Sequence, residues 1–222
     1  MGASAPASTK PSPVSEHATC GEWASWAPPR THPALVLQIV SEEYGYDVIM
    51  SDADALWLRD PMEYLGLPGV RSSSVVASRG NLPFNLSDRW GATMCLGFIL
   101  FRATGPGMDK LQKAMQAFVL NLGDDQIAAN QAVARLGVIW DEDSDMRLYN
   151  STGLGRGTIE NLFGEEGPFV ITLLPHSAFT RQCDNTPISS ETVVAHCHSR
   201  KHVVKRVSWM QEANLWLLDT QV

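Results

Sequence analysis

The chain has 222 residues, with 17 basic against 24 acidic side chains and a formal net charge of −7. That length suits one domain with a sizeable core. The acidic balance, with no basic block and no basic run interleaved with aromatics, argues against a nucleic-acid partner, and the apolar runs fall far short of the ~20 residues that span a bilayer.

Residues 1–30 are dominated by Ala, Ser and Pro with almost no apolar periodicity, which predicts a disordered leader ahead of one folded domain over 31–222. Trp23 and Trp26 at the end of the leader are placed to dock on that domain. No basic start followed by an apolar segment marks a secretory signal, and Pro6 spoils a myristoylation pattern at Gly2. Pro33, then Leu35, Val36, Ile39 and Val40, predicts an amphipathic helix closed by Gly45. The short β-branched run Val48-Ile49-Met50 predicts a buried strand, followed at once by Asp52 and Asp54. Two more buried strands are expected at 74–77 and 97–101, then helices over 108–122 and 129–136. Strands at 170–174 and 192–195 and a helix over 201–215 close the chain, and no repeat is visible. Alternating strands and helices predict an α/β fold with a mainly parallel sheet.

Asp52 and Asp54 stand just past the carboxyl end of a strand, where open α/β sheets place their ligands. A divalent cation beside a diphosphate wants hard oxygen ligands and keeps several waters plus one or two carboxylates. On an extended segment alternate side chains share a face, so both carboxylates can meet one cation. The plain alternative is a solvated turn, since Asp suits turn backbones. Gly97 can let a ligand approach the backbone closely, or simply occupy a turn. Asp124-Asp125-Gln126 begins a helix, where acidic residues offset the helix dipole. His196, His198 and His202 follow an apolar strand and suit either metal ligation or structural hydrogen bonding. Lys205 and Arg206 can meet phosphate or form a solvated face. Cys20, Cys95, Cys183 and Cys197 have no CxxC spacing and define neither a disulfide framework nor a redox compartment.

The run "GYDVIMSDADALWLRDP" resembles the hallmark of the nucleotide-diphospho-sugar transferase family, which includes plant cell-wall xylosyltransferases and arabinosyltransferases. "LGFILFRAT", "DQIAAN", "LLPHSAF", "VVAHCHS" and "QEANLW" resemble further family segments in family order, so the likeness covers residues 33–216. It implies a glycosyltransferase-A fold, a Rossmann-like mixed sheet flanked by helices. It also implies a nucleotide-diphospho-sugar donor bound through Mn²⁺ or Mg²⁺, a glycan or glycoprotein acceptor and a Golgi-lumen location. Under that resemblance Asp54 would coordinate the metal directly, Asp52 would support it or touch the ribose, and His196 would be the late metal ligand. Asp125 and Gln126 would face the donor sugar, Gly97 would line the acceptor side, and Lys205 or Arg206 would meet the diphosphate. The family is retaining, which makes Asp125 the candidate to stabilise the departing sugar's positive charge. The metal would neutralise the leaving diphosphate as a Lewis acid.

Members of that family carry a membrane anchor and at least one strand-helix unit ahead of the segment that here begins at Pro33. An Ala/Ser/Pro leader stands in that place, so the domain is expected to be incomplete at its N-terminus. Two other readings compete. "VIMSDADAL" and "VLNLGDDQIAAN" also resemble haloacid-dehalogenase phosphatases, with Asp52 attacking phosphate and Asp54 as acid/base. Against that, Ala55 stands where Thr or Val is preferred, the segment ahead of Gly123 reads as helix, and the Trp57–Pro61 segment and His196 are left without a role. A non-catalytic, sugar- or protein-binding relic of a glycosyltransferase is the third.

Overall fold

In the computed structural model the β-branched run 48–50 forms β1 (Val48–Ser51), as its composition predicts. It is followed by β2 (Ala55–Trp57), α1 (Pro61–Leu65), α2 (Pro68–Arg71), β3 (Val75–Gly80), α3 (Phe84–Trp90) and β4 (Thr93–Phe101). Then come α4 (Met108–Leu122), α5 (Asp125–Arg135), β5 (Ile139–Trp140), β6 (Gly155–Ile159), β7 (Phe169–Leu173), β8 (Phe179–Thr180), β9 (Val194–His196) and α6 (Val203–Glu212). The structure describes residues 45–103, 108–122, 124–160, 167–181, 188–196, 203–212 and 215. The predicted leader, its two tryptophans, the helix expected from Pro33, and His198 and His202 lie outside those residues.

The main sheet has six strands in the order β1-β4-β3-β7-β6-β5, and a smaller one has the order β2-β9-β8. The expectation of a mainly parallel sheet is corrected here. Within the six-stranded sheet only β3 and β7 pair in parallel; the other neighbours are antiparallel. Alternation of strand and helix shows that helices intervene, not that the chain crosses over to a parallel neighbour. β3 runs through the one short helix α3 straight back into β4 beside it, which sets the pair antiparallel. β6 carries Gly155 and Gly157 and so gives little strand signal in the sequence. A Cβ at Gly157 would collide with the Trp140 ring at 2.6 Å, which is why glycine is required there.

Strand alternation divides the core between the two faces of the sheet. Val75, Ala77, Ile99 and Phe101 pack with Met108, Leu111 and Met115 of α4 and with Ala129, Ala132 and Val133 of α5. Val76, Phe98 and Leu100 pack the opposite face, against Leu65, Val70, Phe179 and Val194. The phase breaks inside β4. Ala77 pairs with Ile99, yet the next residue, Ser78, pairs with Cys95. This bulge puts Met94 and Leu96 on one face and Phe98 and Leu100 on the other. The Ser78 hydroxyl lies 3.5 Å from the Cys95 carbonyl and 3.3 Å from the Phe98 carbonyl, so it donates to β4 on either side of the bulge.

β1 and β3 are both antiparallel to β4, and β7 is parallel to β3, so β1, β3 and β7 run the same way. Their carboxyl ends lie along one sheet edge. Asp52 follows β1, Asn81 follows β3, and the segment from Leu174 to Arg181 follows β7. That is the edge at which α/β sheets bind ligands.

Behind this edge the loop 145–153 is tied by charge. The Asp145 carboxylate accepts from Arg147 Nε at 2.9 Å and Nη2 at 2.8 Å, and from the backbone N–H groups of Thr152 and Gly153 at 3.2 Å each. The Arg147 hydrogen bond, with the backbone donors, holds this carboxyl far below the usual carboxylate range. A folded-state value below the unfolded one contributes stability that is present above about pH 4 and lost as the pH falls further. Asp145→Asn is therefore expected to lower stability at neutral pH and to flatten the acid limb of the stability–pH curve. Urea midpoints from pH 7 to pH 2 measure this, and parallel curves for the two proteins would refute it.

Candidate metal centre

Asp52 and Asp54 do not lie on an extended segment. The N–H of Ala55 donates to the Asp52 carbonyl at 3.0 Å, closing a tight turn over residues 52–55. The turn reverses the chain from β1 into β2, and its two carboxylates converge by curvature rather than by strand alternation. It is anchored on β4, where the Asp52 N–H and the Ser51 hydroxyl both donate to the Gly97 carbonyl, at 3.0 and 3.4 Å. Ser51 Oγ in turn accepts from the indole N–H of Trp57 at 3.1 Å. The half-exposed Trp57 ring meets Phe98 edge-on, with centroids 5.7 Å apart.

His196 reaches this turn from the other sheet. In the antiparallel β2–β9 pair it stands directly opposite Ala55, the residue after Asp54. Its Nε2 lies 3.2 Å from Asp54 Oδ1 and 3.4 Å from Asp52 Oδ2. One ligand atom from each of the three residues lies within 4.8 Å of the others, so the group can hold a metal ion. Two carboxylate oxygens and one imidazole nitrogen suit a hard to borderline divalent cation. The Asp54 side chain is 25 % exposed and Asp52 57 %. Burial alone would lower the His196 pKa, but the hydrogen bonds to Asp54 and Cys95 hold it up at about 9. The carboxylates thus favour positive charge at the imidazole edge, the same preference a bound cation satisfies.

β4 forms the floor of the centre. A Cβ on Gly97 would overlap the His196 ring, so the missing side chain is the space the imidazole occupies. Two residues earlier, Cys95 Sγ lies 3.7 Å from His196 Nδ1. Burial pushes the Cys95 thiol up, yet the His196 hydrogen bond and the Arg181 charge bring it below its ordinary value. Arg181 is itself buried, donating from Nη1 to Asn81 Oδ1 at 2.6 Å.

Asp125 and Gln126 open α5 beside the same edge. Asp124 caps the helix by accepting from the Ile127 N–H at 2.8 Å. Burial raises the Asp125 carboxyl above the usual range, the Gln126 N–H acts against this, and the charges of Asp124 and Asp52 add to the rise. Asp125 is therefore electrostatically coupled to the Asp52 end of the centre. Gln126 Nε2 donates to the Leu82 carbonyl at 3.4 Å, just past β3. Asn130, fully buried, accepts from the Met94 N–H and donates to the Met94 carbonyl, both at 2.9 Å. This clamp fixes α5 to the start of β4 and so sets Asp125 relative to Gly97. Lys205 and Arg206 fall on α6, but their side chains lie outside the described part of the molecule.

Sequence reasoning reached Asp52, Asp54, His196, Gly97, Asp125 and Gln126, but not Ser51, Cys95, Asn130 or Arg181 as neighbours of the centre. No local signal marked Cys95, because the bulge in β4 breaks the alternation that would otherwise relate it to Gly97. The phosphatase reading loses support. The segment ahead of Gly123 is the helix α4, and His196 converges on both aspartates, for which that reading has no use.

The model of the nucleotide-diphospho-sugar transferase family matches residues 30–208. Comparison with curated proteins and with solved structures yields no match. The mixed six-stranded sheet flanked by helices is consistent with a glycosyltransferase-A type fold. No helix among the described residues is long and apolar enough to cross a membrane.

Proposed function

The chain belongs to the nucleotide-diphospho-sugar transferase family, enzymes of glycosyl transfer, and from that premise we propose a metal-dependent, retaining transfer of sugar to a glycan or glycoprotein acceptor. The observation that carries the metal dependence is the convergence of Asp52, Asp54 and His196 within 4.8 Å at the carboxyl edge of the sheet. Asp52, Asp54 and His196 would hold Mn²⁺ or Mg²⁺, which would supply Lewis-acid neutralisation of the departing diphosphate. Asp54, the more buried carboxylate, and His196 Nε2 are direct ligands, and the more exposed Asp52 supports the ion and reaches toward the ribose.

Asp125 stands beside this charge at the start of α5. To stabilise positive charge on the departing sugar it must be ionised, which its burial opposes. A cation held at Asp52 would offset the repulsion that Asp52 exerts on Asp125 and so favour its ionised form. Gln126, held by the Leu82 carbonyl, presents its amide on the same side toward the donor sugar. Gly97 adjoins the acceptor side, and Lys205 or Arg206 meets the diphosphate. A Golgi-lumen location accords with a glycan acceptor.

A melting experiment and a binding titration test this reading. Mn²⁺ with a nucleoside diphosphate is expected to raise the melting temperature, and Asp54→Ala to abolish the increase. A ligand at 100 times its dissociation constant stabilises by about 2.7 kcal/mol, well within detection. An unchanged curve at millimolar Mn²⁺ and nucleotide would sink the reading. His196→Ala is expected to weaken Mn²⁺-dependent nucleotide binding by about 10-fold or more, which corresponds to ~1.4 kcal/mol. Undiminished binding in a calorimetric titration would remove His196 from the ligand set.

A further inference from the structure

The metal reading leaves one contact without a role. His196 presents Nε2 to two carboxylates, while its other nitrogen, Nδ1, meets the sulfur of Cys95 at 3.7 Å. Cys95 is buried, on β4, and like Gly97, on whose bare backbone the imidazole rests, it adjoins the His196 ring. Ser78 holds the Cys95 carbonyl from the partner strand, so the sulfur sits on backbone held by β3. A histidine that ligates metal through Nε2 must carry its proton on Nδ1, and a hydrogen-bond acceptor there selects that tautomer and fixes the ring plane.

We propose that Cys95 is the positioning residue of the metal centre, its sulfur accepting from His196 Nδ1–H so that the Nε2 lone pair is aimed between Asp52 and Asp54. This rests on the metal reading above and adds a residue to it. Sulfur is a weak but competent acceptor, as thiol or as thiolate. Its role is orientation, since it lies across the ring from the carboxylates and so cannot share their cation. The pair also explains the spacing along β4. Gly97 makes room for the ring, and Cys95 two residues earlier sets its rotation.

Serine retains an acceptor at the same place, whereas valine retains volume and loses it. Manganese titrations of wild type, Cys95→Ser and Cys95→Val, followed by the electron paramagnetic resonance signal of free Mn²⁺, decide the matter. Cys95→Ser is expected to bind within about threefold of wild type and Cys95→Val to lose about 10-fold or more, the usual range for removing a partner that orients a ligand. Melting of the metal-free proteins is read alongside. A purely packing role predicts the opposite order, with valine retained and serine impaired, and that result would overturn the assignment. So would equal affinity in all three proteins. If wild type itself takes up no Mn²⁺, with or without a nucleoside diphosphate, the metal reading fails and the Cys95 assignment with it. If wild type binds and Cys95→Val binds equally, only the Cys95 assignment fails.

Discussion

Arg79→Leu is expected to cost about 3–5 kcal/mol of stability, because several carbonyls lose their donor at roughly 1–3 kcal/mol for each that is left buried and unsatisfied. Arg79 is 0 % exposed. Its Nε donates to the Leu174 carbonyl at 2.8 Å, Nη2 to the Gly153 carbonyl at 2.8 Å, and Nη1 to the carbonyls of Asp145 and Arg147. The guanidinium thus ties the end of β7 and the loop 145–153 to β3. Burial lowers its pKa to about 10, while Asp145 works in the opposite sense, so the group stays charged at neutral pH. Exchange of a buried ion pair for hydrophobic residues is often harmless because both charges go together. Here the acceptors are backbone carbonyls that remain when the donor is removed, each then left without its donor. Arg79→Lys should rescue little, because one ammonium cannot span acceptors arranged around a planar fork. Urea unfolding of the three proteins measures the effect. A loss under about 1 kcal/mol in Arg79→Leu would show that the loop finds other donors.

The same residue shows where the sequence was legible and where it was not. The strand expected over 74–77 stops short of Arg79, whereas β3 continues to Gly80. Nothing local announces that loop and strand carbonyls from distant segments will gather around that side chain. β1, α4 and the start of α5 were legible because periodicity, β-branching and an Asp cap act over a few residues. The strand directions were not, since they depend on which neighbour a segment pairs with. In the metal centre the residue types were legible and the geometry only partly so. Asp52 and Asp54 converge through a turn, which places them as well as an extended segment would but depends on the Gly97 carbonyl across the sheet. The bulge in β4 is the least legible feature of all, and it brings Gly97 and Phe98 under the site together.

Gly97→Ala tests that bulge and the centre in one step, and it is expected to damage both. The added methyl would overlap the His196 imidazole, and the ring cannot simply slide away. It is held at Nδ1 by Cys95, at Nε2 by Asp54, and through its backbone by pairing with Ala55. Forcing an extra methyl into such a place costs roughly 1–3 kcal/mol. Tilting the ring also moves Nε2 away from the carboxylates, so Mn²⁺ affinity should fall by about 100-fold, the upper end of the range for a misoriented ligand. A second substitution separates this collision from any intrinsic need for glycine on β4. In Gly97→Ala/His196→Ala the methyl has space, so the double variant should be more stable than Gly97→Ala alone, although it has lost a buried ring. Residues in contact give such non-additivity, with coupling of about 0.5–3 kcal/mol. Additive losses across the four proteins of the cycle would mean that glycine serves the backbone of the bulge and that the imidazole does not depend on it.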